Sequence, residues 1–277
     1  MPESFTSHAE VIATETNTGK VWQMVGANDT KDPQDPPEEL VFTIHGIIML
    51  CDLPPVTRPY GRFVSVKALQ QRILLTGLNT PSFADALEGL AVMDNVLRLN
   101  VREDSVKPLA SVVDGFTALD ISNRYFTSRR FAQEDDHLPF SSDVDPNGIL
   151  EGLRGHSMVH TSDNVVEYYH RVETNSGYRF NTIRPAQIKK GDIVEIQCTL
   201  TLIEFRANDR KQARTEYSTK LVLRSITLLD RTFSEKARLA NVTMTKSPSL
   251  KRRIGHFEEE EKETQERIKR MAIDKET

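Results

Sequence analysis

The chain has 277 residues, of which 38% are hydrophobic and 27% charged, with a formal net charge of −4. This is the composition of a soluble globular protein long enough for one large domain or two small ones, and its longest apolar candidate, Ile44 to Leu50, is too short for a membrane span. Only Cys51 and Cys198 are present, which excludes a disulfide framework and a thiolate zinc site.

The start, Met1-Pro2-Glu3-Ser4, lacks the basic and apolar regions of a secretory signal, so an intracellular location is expected. Residues 1–40 hold 8 acids and 2 bases and end in a Pro-rich acidic run. Such a segment buries too little apolar area to offset chain entropy and reads as an acidic mobile arm. Trp22, the single tryptophan, interrupts it and reads as a residue docked on the core. Residues 41–157 read as a mixed α/β body. Leu40 to Cys51 is a buried strand rich in β-branched residues. Val66, Leu69, Ile73 and Leu74 have helical spacing, and Phe83 to Leu97 gives a longer helix behind Pro81-Ser82. Asp104 to Leu119 is expected to form a third helix starting near Lys107. Asp145-Pro146-Asn147-Gly148 predicts a turn into a short helix through Ile149, Leu150 and Leu153.

Residues 158–232 read as an antiparallel β-sheet or barrel. Val165 to Val172 and Tyr178 to Ile183 flank Glu173–Gly177 and predict a hairpin. From Asp192 to Leu202, Val194, Ile196, Cys198, Leu200 and Leu202 alternate with polar residues, the period of a half-buried strand. Leu221 to Leu229 is apolar on both parities and reads as a covered strand. Residues 233–277 read as a charged helical or disordered tail, with four acids at Glu258–Glu261.

No motif of chemistry is complete. His156 and His160 are four apart but Ser157 follows the first, where a zinc-protease helix requires Glu, and His170 lies in a strand. Asp143 and Asp145 lack the Gly and Glu of a calcium loop. The nucleophile elbow, the phosphate loop and the dinucleotide fingerprint are missing. No metal, cofactor or catalytic residue is therefore assigned, and the expectation is a non-enzymatic protein.

Binding has better support. Residues 178–232 hold 11 bases against 6 acids. Single strands are held by a basic groove with aromatic faces on which bases stack. Tyr178, Arg179, Phe180, Lys189, Lys190, Arg206, Arg210, Lys211, Arg214 and Lys220 are the candidate nucleic-acid-binding residues. Arg224, set in an apolar run, is expected to pair with an acid such as Glu195. Lys246-Ser247-Pro248-Ser249-Leu250-Lys251-Arg252-Arg253 has the composition of a nuclear-import or phosphate-contacting element, with Ser247 a phosphorylation candidate.

Gly61–Gln70, Arg102–Val106, Asn123–Phe126, Gly191–Glu195 and Leu223–Ile226 resemble an expanded family of uncharacterised proteins from mushroom-forming fungi, over roughly residues 45 to 230. That resemblance implies no activity and no site residues. The terminal sheet is similar in pattern to oligonucleotide-binding barrels, with which Gly191-Asp192-Ile193-Val194-Glu195 is compatible. The expected fold is α+β, an antiparallel sheet or small OB-like β-barrel with a mixed helical body and charged tails. The expected partner is single-stranded nucleic acid, with a protein-interaction module recruiting a partner through an exposed sheet edge or the charged C-terminal tail as the alternative, and no membrane.

Overall fold

The computed structural model describes residues 9–16, 19–26, 37–58, 65–101, 106–132, 137–209, 212–244 and 262–269. A hairpin of β1 (Ala9–Thr16) and β2 (Gly19–Gly26) precedes β3 (Phe42–Asp52) and β4 (Gln70–Thr76). Helix α1 (Pro81–Arg98) is followed by β5 (Val106–Lys107), β6 (Ala110–Val113) and β7 (Phe116–Arg124). Next come β8 (Thr127–Ser128), α2 (Ile149–Arg154) and β9 (Met158–Val159). Then follow β10 (Glu167–Thr174), β11 (Gly177–Thr182), β12 (Ile193–Asp209), β13 (Gln212–Asp230) and α3 (Thr232–Met244).

Five strands close on themselves. β3 pairs with β4, β4 with β7, β7 runs parallel to β13, β13 pairs with β12, and β12 returns to β3. Numbered along the chain, the ring reads 1-2-3-5-4-1 with only the third and fifth strands parallel, the order of an oligonucleotide-binding barrel. The alternation in β12 explains the closure. Val194, Ile196, Cys198, Leu200 and Leu202 point inward, against Ile73, Leu75, Leu119, Ile121, Leu221, Leu223 and Ile226, all buried in one core. Each such side chain contributes about 1.5–3 kcal/mol by leaving water. Helix α1 adds Phe83, Leu90, Met93 and Leu97 to that core. Its approach needs Gly77, where a Cβ would lie 2.1 Å from Phe83 Cβ.

Beside β13 one strand replaces another. Ile121 and Ser122 of β7 lie opposite Leu221 and Val222, whereas Glu167 to His170 of β10 lie opposite Ser225 to Leu228, both parallel. Thus β10 takes up the place that β7 leaves. Asn123 pins the exchange, its Nδ2 donating to the carbonyls of Asp163 (2.8 Å) and Leu223 (3.0 Å). The excursion between the two strands has its own small core of Tyr125, Phe126, Leu150 and Met158, shared with Val56 and Leu69. His160 belongs there: Nδ1 donates to the Tyr125 carbonyl at 2.9 Å and the ring stacks on Phe140 at 4.1 Å.

The α+β class and the small barrel stand as expected, but several boundaries differ. The barrel draws β3, β4 and β7 from residues 41–157 and β12 and β13 from 158–232, so the body and the barrel are not successive domains. The described part of residues 1–40 includes the β1–β2 hairpin, which pairs with β12 through Trp22 opposite Leu202, so this segment is not wholly an arm. The helical spacing of Val66 to Leu74 belongs to a 3-10 turn at Val66–Ala68 and to β4, whose Leu74 is covered although it lies outside the ring's interior. The third helix is instead β6 and β7, joined by Asp114 and Gly115, both with positive φ. An Asp-Gly turn between Val113 and Phe116, a β-branched and an aromatic residue, favours a hairpin over a helix.

Arg224 pairs with an acid, but the acid is Glu39, at 2.6 Å, while Glu195 meets His45 at 3.0 Å. Contacts separate residues 1–235 from 236–277. The described parts of the second unit are helical, and 262–269 is exposed throughout. Lys246–Arg253 and Glu258–Glu261 lie outside the described residues. No described helix is long and apolar enough to cross a membrane.

Candidate nucleic-acid interface

In a sheet, opposed residues share a face and successive residues alternate. The outer face of the barrel can therefore be traced by register. Arg72 lies opposite Ser122 and Ser122 beside Val222; a bulge at Arg224, opposite the Gln197–Cys198 step, shifts the alternation of β13 by one residue, so Thr227, beside Tyr169, returns to the same face. Through Tyr169 this face continues onto the β10–β11 hairpin, where Arg171 opposes Phe180 and Glu173 opposes Tyr178. Tyr169, Arg171, Tyr178 and Phe180 thus lie on one side of the ribbon.

The two β11 rings face solvent, Tyr178 at 61% and Phe180 at 53% exposure. Two large aromatic side chains held open two residues apart are an unusual use of apolar surface. Arg171 lies over the Tyr178 ring at 4.6 Å, a cation–π contact that fixes both groups. The ribbon itself is firm at its base. Tyr168, on the opposite face, is buried and donates to Gln71 Oε1 at 2.5 Å, and Gln71 Nε2 donates to the Asn164 carbonyl at 3.2 Å. Burial pushes the Tyr168 hydroxyl pKa upward, so it remains a donor. At the far end Asn175 and Ser176 form a two-residue loop, and Thr174 Oγ1 donates to the Gly177 carbonyl at 2.8 Å.

On the barrel, Arg72 makes a forked pair with Asp120, Nε to Oδ1 and Nη2 to Oδ2, both 2.7 Å. That hydrogen bond holds the guanidinium above its ordinary pKa. Arg124 is exposed at the end of β7, opposite Gln70.

The ten residues chosen from the sequence do not fall on one patch. Tyr178 and Phe180 come together on the outer face, and Lys220 shares that face through Val222. From Lys220 to Thr227 is seven residues of β13, a separation of about 23 Å at strand rise. Arg179 lies opposite Val172 and so on the other side of the ribbon. Lys189 and Lys190 stand in the loop before β12, lining a cavity of about 490 Å³ with Cys51, Pro54, Pro185 and Ile188. Burial pushes the Cys51 thiol up to about 11, so it is not a nucleophile near neutrality.

Arg206 and Arg214 belong to the outer arms of the β12–β13 hairpin, opposite Thr215 and Ala207. Arg210 and Lys211 lie outside the described residues. Among the described residues no three His, Cys, Asp or Glu side chains gather as a metal site. The sequence reading missed Arg171, Arg72 and Arg124. A two-residue loop at Asn175-Ser176 would have placed Arg171 opposite Phe180, since register follows from loop length.

No family model and no curated protein matches the chain in sequence. Among solved structures it is similar to the single-stranded DNA-binding protein gp2.5 of bacteriophage T7, at 12% identity and TM-score 0.39, over 69% of this chain and 94% of that one. It is also similar to the single-stranded DNA-binding protein of bacteriophage Enc34, at 9% identity and TM-score 0.30, over 79% and 89% of the two chains. The C-terminally truncated form of the latter gives 8% identity and TM-score 0.31, over 80% and 95%. These are distant likenesses, and the barrel assignment rests on the strand order.

Proposed function

We propose that the protein binds single-stranded nucleic acid along the outer face of the barrel and its β10–β11 ribbon, without a chemical step. The observation that carries this reading is the exposed pair Tyr178 and Phe180 on one face with Arg171 between strands. Residues two apart in a strand are separated by about 6.7 Å. Stacked nucleotides within a duplex rise only about 3.4 Å each. Rings at twice that spacing receive bases drawn apart from each other, which a single strand allows and a duplex does not. Base stacking on such rings tolerates any sequence, and the nearby guanidiniums supply charge for the backbone. The barrel adds its own argument, because the outer face of the second and third strands is where this architecture presents ligands.

The test is fluorescence anisotropy of labelled single-stranded DNA and RNA, each titrated at two salt concentrations. Salt-sensitive binding that is lost in the Tyr178→Ala/Phe180→Ala double variant supports the reading. Absence of binding at low salt sinks it. A second reading has one observation in its favour: β11 pairs only with β10 among the described strands, so its other edge is open to a partner's strand. A protein captured by the wild-type chain, and lost when Thr182→Pro blocks that edge, where the residue 182 N–H points away from β10, would favour it.

A further inference from the structure

One basic recess lies outside the aromatic ribbon. It is a cleft of about 420 Å³ lined by Lys67, Ser128, Arg129, Arg130, Ser157 and Met158. Three of its six described lining residues are cations, two are hydroxyls and none is a carboxylate. Like charges gathered in one concavity repel each other and focus a positive potential that an anion relieves.

The walls are set in advance. On one side Ser128 pairs with Met158, and the Arg129 N–H donates to the Ser157 carbonyl at 3.0 Å. Arg129 Nε also donates to the His156 carbonyl at 3.2 Å, so this guanidinium is held at root and head. Arg130 lies 5.6 Å over the Phe131 ring. On the other side Lys67 sits in the 3-10 turn at Val66–Ala68, which the Tyr125 N–H ties to β7 by donating to the Leu69 carbonyl at 3.0 Å. Guanidiniums pre-placed in this way lose little freedom on meeting a planar or tetrahedral oxyanion.

We infer that this cleft is a phosphate-binding site, and that it takes a backbone phosphate of the strand whose bases stack on Tyr178 and Phe180. The second half rests on the proposed function. The link is positional: Gln70 and Arg124 face each other at the end of the barrel's outer face, and Lys67 stands three residues before Gln70. A free polyphosphate presents the same oxygens, and the experiment separates the two sources.

The full chain, its Lys67→Ala/Arg129→Ala/Arg130→Ala variant and the Tyr178→Ala/Phe180→Ala variant are titrated with oligodeoxythymidylates of about 4 to 16 nucleotides. Sodium tripolyphosphate is tested separately by thermal shift. The cation variant is expected to keep its melting temperature, bind the longer oligonucleotides at least about tenfold more weakly at low salt, and lose roughly 0.7 of log–log salt slope for each contact removed. The aromatic variant should lose affinity with an unchanged slope. Wild-type binding with the same affinity and slope in the cation variant overturns the inference. If the wild type binds no oligonucleotide, yet tripolyphosphate stabilises it and not the cation variant, the proposed function fails while the phosphate site stands. If neither ligand distinguishes the cation variant from the wild type, the site itself is refuted.

Discussion

Single side chains divide sharply between those that hold the barrel and those that are free to act. Tyr178 and Phe180 stand mostly in solvent and outside both buried cores, and the Arg171 contact on Tyr178 is itself at the surface, so removing both rings should leave the melting temperature within a degree or two. Stacking is worth about 1–3 kcal/mol per base, so affinity should fall by about tenfold or more. Anisotropy and thermal melting on the same samples check both halves. His160 is the opposite case. Burial lowers its pKa below the ordinary 6.5, outweighing the Tyr125 carbonyl that accepts from it. The unfolded chain then binds more protons than the folded one just below 6.5, so stability is full above that value and declines as pH falls towards the folded pKa. Urea melts between pH 7.5 and 5 should show the decline, and His160→Gln should flatten it. From sequence alone His160 is one of three histidines in a metal-like spacing; its neighbours Phe140 and the Tyr125 carbonyl reach it only through the fold.

Elements were legible where one pattern governs and obscure where two overlap. The α1 helix and the inward set of β12 could be read because each has one buried face of fixed period. β4 could not, since Leu74 is covered from outside while Ile73 and Leu75 fill the interior, and three consecutive apolar residues carry no period. The seam between α1 and β4 gives a direct test. A methyl at Gly77 would enter Phe83, so Gly77→Ala should destabilise the protein by about 1–3 kcal/mol through overpacking. Chemical denaturation of that variant, with Gly89→Ala as a control in open space, measures the cost. The ribbon was legible as a hairpin but not as an extension of the barrel face, because its register against β13 is parallel and set by residues far away in sequence.

Across the whole molecule, charge and closure both act over long distances. The distal end of the β12–β13 hairpin carries Arg206 and Arg214 well away from the aromatic ribbon. Reversing the charge at Arg206 and Arg214 with Glu should therefore slow association at low salt far more than it speeds dissociation, and the effect should fade near 1 M salt, where screening reaches about 3 Å. Stopped-flow binding at several ionic strengths separates this steering from direct contact, which would persist in the dissociation rate. Closure could not be read from local pattern at all: Glu195 and His45 meet across 150 residues. During synthesis β3, β4 and β7 leave the ribosome long before Ile193, at about 5–20 residues per second. For on the order of ten seconds the unmatched border of β3 is open to any other nascent strand, and a chain stopped short of β12 would never cover it. Interrupted translation is thus the circumstance in which this protein is most exposed to aggregation, however stable the finished barrel proves to be.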